Sequence, residues 1–204
     1  MERREPLARA FYERDALEVA RDLLGRWLIA GEVVLRIAEV EAYRGPTDSA
    51  CHTAAGRTAR NEAMWGPPGR AYVYRCYGLH WMLNVVSGQE GDGCAVLVRG
   101  AELVEGAAVV EARRGRSGRG TLAGPAKVAQ ALAVDRGFDG HDLTEAGGLV
   151  LAAGVPADRV LAGPRVGIDY AAPADRDAPW RLAIAGSTEV SVRRTLRPAD
   201  RVSG

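Results

Sequence analysis

The sequence predicts a mixed α/β fold of the α+β kind: one domain over residues 1–204, built on an antiparallel β-sheet with flanking helices. Three observations carry this. The chain of 204 residues is 47% hydrophobic, enough for one substantial core and too little for several large domains. Three runs rich in β-formers follow one another between residues 71 and 99 with tight, glycine-containing connections, the mark of an antiparallel meander. Helix-start signals stand before and after that meander, at Asp15 and at Pro125.

Taken in order, Asp15 is placed to cap a helix whose apolar residues Leu17, Ala20 and Leu24 keep helical spacing, with Glu18 completing a capping box and Gly25 ending it. Residues 27 to 29 and 33 to 43 flank Ala30-Gly31-Glu32 and predict a hairpin. Alternation along the second of these strands would put Ile37, Glu39, Glu41 and Tyr43 on one face, provided no bulge intervenes. Residues 44 to 70 hold Gly45-Pro46 and Pro67-Pro68-Gly69 and read as a long loop or short helices; loops of that length are uncommon in compact domains and often functional. The meander comprises residues 71 to 77, 81 to 87 and 94 to 99, joined by Gly78-Leu79-His80 and by the glycine-rich stretch 88 to 93. Residues 101 to 114 read as a helix, 113 to 120 as an Arg/Gly-rich loop, and Pro125 opens another helix through Val134. Short strands are expected around residues 149 to 151, 166 to 168 and 182 to 184.

Composition excludes several classes. No run approaches the roughly 18 apolar residues of a membrane span, and the N-terminus has no signal core, so the chain reads as a soluble, cytoplasmic protein. Cys51, Cys76 and Cys94 form no Cys-x-x-Cys pair and read as reduced thiols. With only His52, His80 and His141 available, no metal-ligand spacing arises, and metal catalysis is disfavoured. The net charge of +1 hides an uneven distribution: windows 57 to 75 and 113 to 136 hold ten basic residues against two acidic ones. A local positive face of that kind is what phosphates respond to.

Candidate chemistry concentrates in two places. Glu39 and Glu41 set two carboxylates side by side, which raises the pKa of one and suits it to base catalysis; the plain alternative is a solvated strand edge. Tyr72, Tyr74, Tyr77 and Trp81 crowd one hairpin in a chain that is only 6% aromatic. Tyr74 and Tyr77 have opposite parity, so both cannot enter one core, and the ring nearest the Gly78 turn should protrude. A protruding ring beside basic loops can stack on bases or wedge between them.

Together, Glu39-Val40-Glu41-Ala42-Tyr43-Arg44-Gly45-Pro46, Asp48, His52, Thr58-Ala59-Arg60-Asn61, Met64, Pro68-Gly69, Tyr72-Val73-Tyr74, Tyr77-Gly78, Asn84, Gly91-Asp92-Gly93 and Arg99 resemble the alkyladenine (3-methyladenine) DNA glycosylase family. Gly124-Pro125-Ala126-Lys127, Arg165-Val166-Gly167-Ile168 and Val190-Ser191-Val192 are similar to its later segments, so the resemblance runs in order over nearly the whole chain. It implies a curved antiparallel sheet with a protruding β-hairpin, and a cofactor-free, monofunctional base-excision enzyme without a lyase step; nothing in the sequence demands a dimer, so a monomer is expected. The implied substrate is double-stranded DNA containing damaged purines: 3-methyladenine, with 7-methylguanine, hypoxanthine and ethenoadenine as further lesions. By the same resemblance Glu41 activates water and Arg99 is an active-site arginine. Tyr43, His52 and Tyr74 form the cage for the flipped base, Asn84 is the pocket asparagine, and Tyr77 enters the minor groove. Arg57, Arg60 and Lys127 from the basic windows are the expected contacts to the DNA backbone. Two other readings use the same residues: a nucleic-acid-binding module without catalysis, and a nucleoside hydrolase acting through Glu39 and Glu41.

Overall fold

In the computed structural model, which describes residues 4–199, the architecture follows from one long strand pair. Strand β1 (Trp27–Ala30) turns at Gly31 into β2 (Val33–Tyr43), and β2 lies antiparallel to β5 (Cys94–Glu105) along nearly its whole length. The meander expected from the sequence supplies β3 (Ala71–Cys76) and β4 (His80–Ser87) on the far side of β5. Four short strands complete the sheet: β6 (Leu149–Ala152), β7 (Val160–Gly163), β8 (Arg181–Ile184) and β9 (Arg197–Pro198). The order is β3-β4-β5-β2-β8-β7-β9, with β1 on β2 and β6 on β1, and every pairing is antiparallel.

Among the described residues there are four α-helices: α1 (Ala16–Leu23), α2 (Ala107–Arg114), α3 (Pro125–Ala131) and α4 (Pro173–Arg176). The Asp15 side chain caps α1 by accepting the Leu17 N–H at 2.8 Å. Ala16, Val19, Ala20 and Leu23 then turn into the main core with Leu35, Ile37, Val40, Val98 and Leu122.

The strand face expected for Ile37, Glu39, Glu41 and Tyr43 is broken in the way the proviso named. Register shifts between Ile37 and Glu39, and between Glu39 and Val40, mark a bulge in β2. Before it, Val33, Leu35 and Ile37 enter the core; after it, Val40 and Ala42 do. The inserted residue reverses the parity, so Ile37 stays in the core while Glu39, Glu41 and Tyr43 point to the opposite face. At the same place the outer edge of β2 passes from β1, paired to residues 33 to 36, to β8, paired to residues 39 to 41.

Two expectations are corrected. Residues 101 to 105 are not helical but continue β5, pairing Ala101 with Ile37 and Glu102 with Arg36; cross-strand pairing outweighs their helix propensity. The helix starts only after Gly106, which has φ 84° and whose Cβ, if present, would lie 2.6 Å from the Glu32 carbonyl oxygen. Residues 166 to 168 are not a strand either. They form a loop after β7, and the Val166 N–H that a strand would spend on its neighbour goes to a side chain of β2. No helix of the described residues is long and apolar enough to cross a membrane, and Cys51, Cys76 and Cys94 are all free thiols.

Candidate active site

On the face of β2 opposite the core lies a cavity of about 570 Å³. β2 contributes Glu41 and Tyr43, β3 and β4 contribute Tyr72, Tyr74 and Asn84, β5 contributes Leu97 and Arg99, and loops close it with Cys51, His52, Met64 and Tyr170. The bulge in β2 is what aims Glu41 and Tyr43 into it.

Glu41 is fully buried. Its Oε1 accepts the Val166 N–H at 2.8 Å and lies 3.3 Å from Arg99 Nη1, while its Oε2 accepts the Tyr43 phenol at 3.0 Å. Burial pushes the Glu41 pKa up; Arg99, the Val166 N–H and the Tyr43 hydroxyl pull against that rise. A carboxylate offers about four lone-pair sites, so these contacts leave acceptor capacity for a water. Glu39 has a different fate. Its carboxylate is consumed by Arg181 Nη1 at 2.9 Å, the Ser191 N–H at 2.7 Å and the Ser191 hydroxyl at 3.0 Å, and it is not part of the cavity wall. Arg99 stands between the two glutamates, 3.4 Å from Glu39 and 3.3 Å from Glu41. Burial works against the Arg99 charge, but the two carboxylates outweigh it and its pKa is raised.

The aromatic wall is ordered by short contacts. Tyr72 and Tyr74 stack with ring centres 5.4 Å apart, and His52 meets Tyr74 edge-on at 4.6 Å. His52 Nδ1 is hydrogen-bonded to the Tyr72 hydroxyl at 2.8 Å. Burial of the ring, and then the nearby Arg60 charge, hold the His52 pKa below its ordinary value, which favours neutral imidazole. Asn84, opposite Tyr72 in the β3–β4 pair, donates its amide to the Tyr72 carbonyl at 3.0 Å. At the mouth, Tyr77 and Gly78 occupy the turn with φ 49° and 68°, closed by the Leu79 N–H to the Cys76 carbonyl. Positive φ at both central positions belongs to primed hairpin turns. It leaves the Tyr77 ring 93% exposed.

Of the residues selected from the sequence, Glu41, Tyr43, His52, Tyr74, Tyr77, Asn84, Arg99 and Arg60 line this one cavity. Arg57 and Lys127 do not. Arg57 is ion-paired with Glu62 on the surface, and Lys127 Nζ donates to the Gly120 carbonyl at 3.2 Å. Several contributors had no role assigned from the sequence, although Asp48, Arg165 and Val166 stand among the residues that carry the resemblance. The Val166 backbone acts through an N–H that any residue would supply. Arg165 and Asp48 form a buried bidentate pair at 2.6 and 2.8 Å, with the guanidinium 4.6 Å from the Tyr43 ring centre. Tyr170, on the loop after Val166, is 71% exposed, yet its hydroxyl donates to the Ala50 carbonyl. Among the described residues no three His, Cys, Asp or Glu side chains converge in a metal-binding group.

A family model described as methylpurine-DNA glycosylase matches residues 10–188. A protein of Nitrosococcus oceani named as a candidate 3-methyladenine DNA glycosylase is 55% identical over 189 residues, covering 92% of this chain and 94% of that protein. The DNA-3-methyladenine glycosylase of Arabidopsis thaliana is 47% identical over 192 residues, 92% of this chain and 75% of the plant protein. A Streptomyces avermitilis protein, also named as a candidate 3-methyladenine DNA glycosylase, is 45% identical over 208 residues, 97% of this chain and 96% of its own length.

Proposed function

The chain belongs to the methylpurine-DNA glycosylase family, and from that premise we propose that it flips alkylated purines out of duplex DNA and hydrolyses their glycosidic bond, 3-methyladenine first among them. The observation that carries this reading is the juxtaposition of a buried carboxylate, Glu41, with the Tyr43, Tyr72, Tyr74 and His52 rings in one cavity beneath an exposed wedge, Tyr77.

A stacked base keeps its glycosidic bond out of reach, and extruding it costs a few kcal/mol. Tyr77 fills the gap left in the stack, while the cage rings take up the base at about 1 to 3 kcal/mol per stacking contact. A purine made cationic by alkylation gains further from the ring faces, and a neutral His52 adds no repelling charge. As the bond breaks, the sugar acquires cationic character. The Glu41 carboxylate stabilises that charge and takes a proton from the attacking water, as in glycoside hydrolysis. Arg99 favours the ionised form of Glu41 that both tasks require. No lysine lines the cavity, which supports simple hydrolysis without a Schiff-base lyase step. Arg60, which lines the cavity, suits the DNA backbone, and Arg57 and Lys127 outside the cavity wall are assigned to the same role.

The test is a set of duplexes each bearing one lesion, 3-methyladenine, 7-methylguanine, hypoxanthine or ethenoadenine, assayed for freed base and for strand integrity. Release of methylated purine from an intact strand, with no borohydride-trapped adduct, is expected. Binding without any released base would favour a non-catalytic module, and equal release from free nucleosides would favour a nucleosidase.

A further inference from the structure

Behind Arg99, on the side away from the cavity, the chain returns from its far end. Ser191 donates its backbone N–H to Glu39 Oε2 at 2.7 Å, and its hydroxyl lies 3.0 Å from Glu39 Oε1 and 3.0 Å from Arg99 Nη2. A hydroxyl has one hydrogen and two lone pairs. The pattern is therefore satisfied in one way: Ser191 donates to Glu39 and accepts from Arg99. Arg181, fully buried, clamps the same segment by donating from Nη1 to the Ser191 carbonyl at 2.9 Å and from Nη2 to the Val192 carbonyl at 3.4 Å. Val192 sits at φ 41°, a backbone region that β-branched residues rarely enter, and such strain persists where the surroundings over-determine it. A segment more than 90 residues from Arg99 in sequence is thus held under strain to bring one hydroxyl to one guanidinium.

We propose that Ser191 is a positioning residue: its hydroxyl, bonded to Glu39 while Arg181 holds the Ser191 carbonyl, aims the Arg99 guanidinium at Glu41. The Arg99 Nε and Nη2 are occupied by Glu39 and Ser191, and Nη1 lies within ion-pair distance of Glu41 at 3.3 Å. Without the Ser191 oxygen, Nη2 loses its acceptor, and the guanidinium is free to rotate about its Nε contact toward Glu39. Glu41 then loses part of the cation that opposes its burial. The other groups facing Glu41 stay in place: Tyr43 and Glu39 on its own strand, Tyr74 on β3, and Val166 and Arg165 on the loop after β7. The inference rests on the reading of Glu41 as the base, and its test separates the two.

Excision from purine-methylated duplex DNA is measured with enzyme in excess across a pH series for wild type, Ser191→Ala, Ser191→Thr, Ser191→Val and Glu41→Gln, with thermal melts alongside. Ser191→Ala and Ser191→Val should lose about tenfold or more in rate, the scale of a hydrogen bond to a charged group. Their rates should also reach the plateau only at higher pH, because a less supported Glu41 protonates more readily. Ser191→Thr keeps the hydroxyl and should return rate and profile to within about threefold of wild type. Thr and Val have matched bulk, so their comparison stands even if the alanine variant fails to fold. A wild-type pH profile in Ser191→Val, with or without a loss of rate, overturns the positioning role, as does failure of Ser191→Thr to outperform it. Wild-type excision by Glu41→Gln would instead remove Glu41 from the reaction and leave the Ser191 contacts structural.

Discussion

Glu41 and His52 are tuned in opposite directions by the same physical effect. Burial raises the pKa of the acid and lowers that of the base, in each case favouring the neutral form. Arg99 then restores charge to Glu41, whereas Arg60 adds to the depression at His52. A neutral imidazole keeps its hydrogen bond with the Tyr72 hydroxyl and leaves the cavity wall without a cation at this position. The sign for stability follows. With its folded pKa depressed, His52 contributes fully above the ordinary value of about 6.5 and loses that contribution as pH falls through the folded value. Ring-proton NMR should find the His52 midpoint below the ordinary histidine range. Arg60→Gln should move it upward only part of the way, since burial is the larger cause. A midpoint at or above about 6.5 in the wild type would contradict this account of the cage.

The β3–β4 hairpin carries at its tip a side chain that adds little to stability, which is what the proposed wedge role of Tyr77 requires. Tyr77 in a left-handed conformation costs on the order of 1 kcal/mol that glycine would not incur, and its ring is 93% exposed, so the fold gains little from it. Tyr77→Gly should therefore leave the melting temperature within a few degrees of wild type while weakening capture of lesion-bearing duplex about tenfold or more, the worth of one lost stacking contact. Unchanged capture would remove the wedge from the reading; a large drop in melting temperature would show that the turn depends on the ring. This hairpin was legible in the sequence because its signals are local: β-formers on both sides of a glycine turn, and the parity clash between Tyr74 and Tyr77. The extension of β5 through Glu105 was not. Residues 101 to 105 have helical composition, and only pairing with residues 34 to 37 of β2 makes them a strand, a fact located some 65 residues away. The bulge in β2 was likewise invisible as a pattern, although it decides which face Glu41 occupies.

At the scale of the whole molecule, the site is assembled from segments scattered from Glu39 to Ser191, and the sheet order explains how. Placing β2 between β5 and β8 brings Arg99 from one neighbour and Arg181 from the other to the two carboxylates of the central strand. Glu39, Glu41, Arg99 and Arg181 form a charge-balanced buried group, the arrangement in which buried ions are tolerable because each has a partner. The sequence placed Glu41, the cage residues and Arg99 in one pocket through likeness to a known family. It could not show that Glu39 serves Arg99, because residues two apart on a strand looked equivalent until Ser191 and Arg181 claimed one of them. The most direct measurement is single-turnover base release from duplex DNA carrying one methylated purine, by wild type and by Glu41→Gln, with duplex affinity measured in parallel. The glutamine variant should bind the lesion as the wild type does and release base at least about 10² times more slowly; release at the wild-type rate would contradict the assignment of water activation to Glu41.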